Sequence, residues 1–172
     1  MIENIINNIP AHICALIGFI FLIISTQVKN KKEILIFQSL FSFFFFLQYL
    51  LLNVYSASIL CLFAVIRNIT YYLDNKKINK IIILLTLIIG ILTTKYDMKT
   101  FPLLLAVLPT IIHVLYAISL NKNNILQIKI VFFICSCIWI IYDYYVNAYV
   151  GLICNFVEML SYLYYFGGKK WK

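Results

Sequence analysis

The chain has 172 residues, of which 64% are hydrophobic and only 12% are charged. This composition goes far beyond what the core of a soluble domain requires, so the ordinary soluble classes are excluded. The net charge of +8 is spread over short clusters between apolar segments, with no basic patch interleaved with aromatic residues, and we expect no nucleic-acid partner.

Seven hydrophobic segments follow one another, and most are long enough to cross a bilayer as a helix. In chain order they cover residues 10–28, 34–52, 56–73, 81–94, 102–120, 125–145 and 148–166. The fourth segment is short, and we expect Lys80 and Lys95 to snorkel from its ends. These segments predict an all-α polytopic membrane protein with seven transmembrane helices, forming one membrane domain over residues 1–172 in contact with the lipid bilayer.

The distribution of lysines predicts the orientation. If the seven segments alternate across the membrane, all lysines except Lys95 and Lys99 fall on the side of the C-terminus. Cytoplasmic loops carry an excess of positive charge, so we predict an external N-terminus and a cytoplasmic C-terminus. The lysines themselves, Lys129 among them, are interpreted as topogenic and lipid-facing.

An internal match connects two parts of the chain. Residues 53–72 and 147–166 align at a spacing of 94 residues, with four identical pairs: Asn53 and Asn147, Tyr55 and Tyr149, Ile59 and Ile153, Tyr71 and Tyr165. This spacing divides the segments into a three-helix repeat over 10–73, a linker helix over 81–94 and a second three-helix repeat over 102–166. Because equivalent helices are four places apart in the series, an even number, both repeats have the same orientation, which is a 3+1+3 parallel arrangement.

Three ionisable residues are predicted at one depth. Arg67, His113 and Glu158 each lie ten or eleven residues from the outer end of their segment. At about 1.5 Å per residue this is about 15 Å, the midplane of a hydrocarbon core about 30 Å thick. A buried charge there is costly unless it faces a partner or a wet cavity. We therefore expect an Arg67–Glu158 pair, which either locks the two halves together or belongs to a functional site.

The candidate site borders a midplane cavity between the halves. It consists of Arg67, Asn68, His113, Trp139, Asn155 and Glu158. Arg67 would bind an anionic or strongly polar group, and Glu158 would balance it or carry a proton. Structural alternatives stay open, since His113 is compatible with a packed histidine, Trp139 with an interfacial aromatic residue, and Asn68 with interhelical packing.

Other polar and aromatic residues are given no chemistry. The five cysteines all lie in apolar runs without CxxC spacing, which favours small packing residues over a redox or metal site, and no cofactor is expected. Asp143 is expected near the outer surface, too exposed for catalysis. Eight residues are interpreted as interfacial girdles: Tyr49, Tyr142, Tyr144 and Tyr149 outside, and Tyr71, Tyr164, Tyr165 and Trp171 inside.

Over almost its whole length the chain resembles the YgjV family of bacterial inner-membrane proteins. The stretches that carry this resemblance are LIGFIFL, QVKNKKEILIFQ, LLLNVYSASIL, IRN and GLICNFVE. It implies a location in the bacterial cytoplasmic membrane. The 3+1+3 plan is similar, more distantly, to SWEET sugar transporters and to PQ-loop proteins, including vitamin carriers of the PnuC type.

One further likeness concerns Trp139 and Asn155. Their spacing is similar to that of a Trp and an Asn that line the sugar pocket in bacterial half-size relatives of SWEETs. The likeness implies that both residues line a solute pocket, although the first repeat departs from it, with Phe45 and Cys61 at the equivalent positions.

Two functions are compatible with these features. The first is a transporter of a small polar solute through a site between the halves, and the second is a structural or partner-binding membrane subunit whose buried charges only hold the bundle. The chain has no HExxH or GxSxG motif and no Ser–His pair placed for nucleophilic catalysis, so an enzyme is not expected. A homo-oligomer, the solute and any coupling ion are left open.

The predicted orientation has a direct test. A reporter fused after Lys172 should read cytoplasmic, and one inserted at Asp97 should read external, because three crossings separate the two positions. Protease protection or alkaline phosphatase activity measures both. Two reporters on the same side would contradict seven alternating segments.

Overall fold

Seven helices are found in the computed structural model, which describes residues 8–73, 76–99, 101–122 and 124–168. Their bounds are α1 Ile9–Gln27, α2 Lys31–Leu51, α3 Tyr55–Tyr72, α4 Lys76–Asp97, α5 Leu103–Leu120, α6 Ile125–Tyr145 and α7 Tyr149–Gly168. Six of the seven are long and apolar enough to cross a membrane, which makes the chain a polytopic helical membrane protein. The exception, α3, carries Arg67 and Asn68, and both side chains are buried against other helices.

The fourth helix is longer than predicted. The segment predicted over 81–94 is part of a helix that continues from Lys76 to Asp97. An apolar run marks only the part of a helix that lies inside hydrocarbon. The backbone hydrogen bonds of the helix continue beyond that run through polar residues. Lys80 and Lys95 are solvent-exposed within this longer helix, as expected for side chains that reach beyond the apolar zone.

The helices are arranged in a closed series of neighbours. Short connections make consecutive helices antiparallel, so α1 packs on α2 and α2 on α3, and likewise α5 on α6 and α6 on α7. Two further contacts join these groups, α3 with α5 and α1 with α7, while α4 packs against α3 and α5. Residues facing away from this arrangement are large and apolar, with Leu84 57% and Leu104 77% exposed, as expected for a surface in contact with lipid.

Residues that lie 94 positions apart in the sequence have the same local structure. Helices α2 and α6 begin and end at equivalent residues, and α3 and α7 begin at equivalent residues. Asn30 caps α2 by accepting a hydrogen bond from a backbone N–H at its first turn, and Asn124 caps α6 in the same way. Their eight buried positions also coincide, from Ile34 and Ile128 at one end to Tyr49 and Asp143 at the other.

The turns that follow α2 and α6 are also alike. Asn53 and Asn147 both have a φ of 59°, in the left-handed region that asparagine tolerates better than most residues. Each side-chain oxygen accepts a hydrogen bond from a tyrosine two residues later, Tyr55 at 3.1 Å and Tyr149 at 2.7 Å. The matching asparagines in the sequence therefore adopt the same backbone conformation.

These turns generate a prediction. Asn53→Ala and Asn147→Ala should each lower the free energy of unfolding by about 1–2 kcal/mol, because alanine has no side-chain oxygen and is strained at positive φ. The corresponding glycine variants should lose less, since glycine adopts this conformation without strain. Thermal unfolding of the purified protein in detergent measures both pairs. A large loss at one asparagine and none at the other would show that the turns are not equivalent.

Candidate functional site

A small cavity lies among α2, α3, α5, α6 and α7, with room for roughly one water molecule. Its walls mix charged, amide, hydroxyl and aromatic side chains: Gln38, Phe41, Ser42, Phe45, Cys61, Arg67, His113, Tyr116, Trp139 and Asn155. Two pairs in this set stand 94 residues apart, Phe45 with Trp139 and Cys61 with Asn155. Four of the six predicted site residues are brought together here, and Asn68 and Glu158 are not among the lining residues.

Arg67 is the charged group of the cavity and is only 2% exposed. Its Nε and Nη2 donate to Asn68 Oδ1 at 3.2 and 3.1 Å, and its Nη1 donates to the backbone oxygen of His113 at 3.2 Å. The guanidinium carbon lies 5.7 Å from the centre of the Tyr116 ring. Asn68 therefore fixes the orientation of the Arg67 guanidinium. A backbone carbonyl of α5 takes the place that a counter-ion would otherwise occupy. Among the described residues these bonds use three of the five guanidinium donors.

His113 and Trp139 form an adjoining wall. Their rings are 5.9 Å apart and nearly perpendicular, and Trp139 also stacks on Tyr49 with centroids 5.7 Å apart. His113 Nε2 lies 4.0 Å from Cys61 Sγ, while Nδ1 is buried without a hydrogen-bond partner among the described residues. Trp139 is 4% exposed, so the alternative of an interfacial aromatic residue does not describe its position.

Asp143 is fully buried, and the prediction that it lies exposed near the outer surface was wrong. The Tyr49 hydroxyl donates to its Oδ1 at 2.6 Å, and Asn155 Nδ2 donates to its Oδ2 at 2.8 Å. Depth alone misled the prediction, because Asp143 is near the end of α6 but on the same face as Trp139. Asn155, which lines the cavity, is thus hydrogen-bonded to the carboxylate of Asp143.

The predicted Arg67–Glu158 pair is not formed in the structure. Glu158 is 1% exposed and accepts a hydrogen bond from Ser136 Oγ at 2.6 Å, with the Tyr162 side chain beside its carboxylate. Arg67 has the separate partners described above. Equal depth does not imply proximity, since it leaves the direction of each side chain around its helix undetermined.

Hydrogen bonds cross between α1–α3 and α5–α7 on both sides of the cavity. Toward the ends of α2 and α6, the Tyr49–Asp143 bond joins these two helices. Toward the end of α1, Lys129 Nζ donates to the backbone oxygen of Thr26 at 2.5 Å, and Thr26 and Ser161 share a hydroxyl hydrogen bond at 2.6 Å. The cavity is therefore bracketed by interhelical contacts.

Lys129 is 1% exposed, so its interpretation as a lipid-facing lysine was wrong. Its ammonium lies 3.5 Å from the centre of the Tyr165 ring, which provides a cation–π contact. Because the ammonium is held by a backbone oxygen of α1 and a ring of α7, it belongs to the packing of the bundle. A lysine inside the predicted bounds of a helix is a weaker marker of a loop than one between helices.

The girdle prediction also needs a correction. Tyr49, Tyr142 and Tyr71 are buried, and Tyr71 donates to the backbone oxygen of Ala117 at 2.8 Å. Tyr144 and Tyr164 are 62% and 78% exposed, which agrees with an interfacial position, and Trp171 lies outside the described residues.

Polar residues of α2 were missed by the sequence analysis. Gln38 donates to Ser25 Oγ at 2.9 Å, and Ser42 and Gln48 are also buried. Their spacings of four and six residues on an otherwise apolar helix were an available signal, because such residues face the bundle interior. Among the described residues, no group of three His, Cys, Asp or Glu side chains is placed to hold a metal ion.

Gly151 provides a test of this packing. A Cβ atom there would lie 2.9 Å from Asp143 Oδ2 and 3.1 Å from Gln48 Nε2. Gly151→Ala should therefore lower the free energy of unfolding by about 1–3 kcal/mol through overpacking. Gly167→Ala is the matched control, since nothing lies within 4 Å of that position, and it should leave stability unchanged or raise it slightly. Equal melting temperatures for the two variants would contradict the close approach at Gly151.

Comparison with known proteins supports the same class. A family model described as a bacterial inner membrane protein, Imp-YgjV, matches residues 9–166. None of the curated proteins and none of the solved structures matches the chain. The family match spans all seven helices up to Phe166, so the chain belongs to the Imp-YgjV family of bacterial inner membrane proteins.

Proposed function

We propose that the protein transports a small polar solute through the cavity between α1–α3 and α5–α7. The observation that carries this proposal is Arg67, a buried guanidinium that borders the cavity and has no carboxylate among its hydrogen-bond partners in the described part of the chain. A buried cation costs free energy that two amide or carbonyl dipoles offset only in part. A ligand with an anionic group would offset the rest.

The other polar groups of the cavity define the class of solute. His113 Nδ1 and Asn155 Oδ1 have no hydrogen-bond partner among the described residues, and both side chains line the cavity. Trp139 supplies a flat apolar wall. This set suits a small solute with one anionic group, further polar groups and a face that stacks on an indole ring.

Transport requires the cavity to open, since it has room for roughly one water molecule. We propose that the chain consists of two parallel three-helix repeats, as in SWEET-like proteins, joined by α4. Equivalent helix ends, caps and turns at a spacing of 94 residues support this relation. Rocking of one repeat against the other would break the Tyr49–Asp143 bond on one side or the Lys129 and Ser161 contacts with Thr26 on the other.

The proposed orientation follows the lysine distribution, with the N-terminus outside and the C-terminus in the cytoplasm. In this orientation the Tyr49–Asp143 bond closes the external side of the cavity, and the contacts of Thr26 close the cytoplasmic side. Each side is then held by a small number of hydrogen bonds that act between the two repeats.

The proposal is tested by ligand-dependent stabilisation and uptake. The purified protein would be screened by thermal unfolding against a panel of small carboxylates, phosphates and neutral sugars, followed by uptake of any stabilising compound into proteoliposomes. At one hundred times its dissociation constant, a ligand stabilises the folded state by about 2.7 kcal/mol. We expect anionic compounds to stabilise the wild-type protein.

Three variants separate binding from folding. Arg67→Met should abolish stabilisation by the active compound, and Arg67→Lys should retain part of it, because lysine keeps the charge but not the forked geometry. His113→Gln leaves the backbone oxygen that holds Arg67 in place, so it should fold and bind the compound at least tenfold more weakly. Folding is measured by monodispersity in size-exclusion chromatography.

A structural or partner-binding subunit gives a different result. Its buried charges would only hold the helices together, so the panel would contain no stabilising compound and His113→Gln would change nothing beyond a small shift in melting temperature. That outcome would overturn the transporter proposal.

A further inference from the structure

A second polar cluster lies around Asp143, on the Tyr49 side of the solute cavity. Asp143 is 0% exposed, and its two hydrogen-bond donors, Tyr49 and Asn155, are neutral groups. Neutral donors of this kind stabilise a carboxylate only in part when water is excluded. The charge balance at Asp143 is therefore incomplete.

Gln48 adds an independent observation. It is fully buried, and neither its Nε2 nor its Oε1 has a hydrogen-bond partner among the described residues. Gln48 Nε2 and Asp143 Oδ2 both closely approach the point where a Cβ of Gly151 would stand, at 3.1 and 2.9 Å. The unpartnered Gln48 Nε2 and the Asp143 carboxylate therefore both lie beside the bare face of Gly151.

Asn155 contributes a second acceptor. Its Nδ2 donates to Asp143, and its Oδ1 is buried without a partner among the described residues. A half-turn of the Gln48 side-chain amide exchanges Nε2 for Oε1 beside Asp143, and the cluster then presents one carboxylate and the unpartnered amide oxygens of Gln48 and Asn155. Such oxygens are hard ligands that attract a cation, and one carboxylate balances a single positive charge.

We propose that Asp143, Gln48 and Asn155 form a binding site for one monovalent cation, either a proton or an alkali-metal ion. Within the described ranges, the titratable groups that face Asp143 are Tyr49 on α2, Cys61 on α3 and Cys154 on α7. None of these carries a positive charge, so none replaces the cation. The site does not depend on the proposed transport of a solute, although Asn155 borders both the site and the solute cavity.

The cation is bound by the folded state, so its binding should raise the melting temperature. The purified full-length protein in detergent would be titrated with sodium, lithium or potassium chloride at pH 8, with choline chloride keeping the ionic strength constant. A second arm would lower the pH from 8 to 5 in choline chloride alone. We expect saturable stabilisation in one arm, of roughly 5–10 °C at a hundredfold excess over the dissociation constant. An alkali-ion site responds in the first arm, and a proton site responds in the second.

Variants assign the response to Asp143. Asp143→Asn should abolish it, whereas Glu33→Gln, which removes an exposed carboxylate from the first turn of α2, should retain it in full. Gln48→Leu removes the unpartnered amide at similar volume and should weaken the cation affinity at least tenfold. This variant decides the matter if Asp143→Asn does not fold.

Several outcomes would overturn the site. They are the absence of a wild-type response in both arms, a response of Asp143→Asn equal to wild type, and an unchanged cation affinity in Gln48→Leu. Loss of the response in Glu158→Gln together with its retention in Asp143→Asn would place the cation at the other buried carboxylate. A solute screen that fails leaves these outcomes unaffected, so the two proposals can fail separately.

Discussion

The structure depends on one constraint, which is that polar groups in a hydrocarbon environment must find partners within the protein. Arg67 is the clearest case, since its guanidinium is held by Asn68 on its own helix and by a backbone oxygen of α5. These bonds keep α3 in the bundle, although it is the one described helix that is not long and apolar enough by itself to cross a membrane. A helix with a charge and an amide in adjacent positions is stable in a membrane only when other helices cover it. The contacts of α3 with α2, α4 and α5 provide that cover.

Much of the fold could be predicted because lysines and asparagines separate the apolar runs. The seven helices follow these boundaries, and the spacing of 94 residues reappears in the caps Asn30 and Asn124 and in the turns at Asn53 and Asn147. The ends of α4 could not be predicted, because hydrophobicity reports the lipid contact of a segment and not the extent of its hydrogen-bond ladder. The backbone of α4 continues into polar residues that the bilayer does not constrain.

The depth of each candidate site residue along its helix could be predicted from the sequence, but the direction of its side chain around the helix could not. Counting residues from a helix end places Arg67 and Glu158 at one level, yet each side chain has its own partners, Asn68 and Ser136. The same reasoning placed Asp143 at the surface, since it is near a helix end, although its face of α6 is the buried one. Under the proposed repeat, a residue that faces inward implies the same direction for its equivalent 94 residues away. Tyr49 and Asp143 occupy equivalent positions, and a contact between them requires both to face inward.

Under the proposed repeat, this contact gives a reason for the two halves to differ in sequence at Tyr49 and Asp143. Under the proposed two-fold relation, residues at equivalent positions that touch each other must lie near the rotation axis. Tyr49 and Asp143 do so through a 2.6 Å hydrogen bond, and Phe45 and Trp139 line the same cavity one turn below. Two aspartates at this point would repel each other, and two tyrosines would leave no buried acceptor with a full charge. A tyrosine at one position and an aspartate at the other give a donor and a charged acceptor, which form a short hydrogen bond at this point. This difference leaves a single carboxylate on the proposed axis, which is the carboxylate of the proposed cation site.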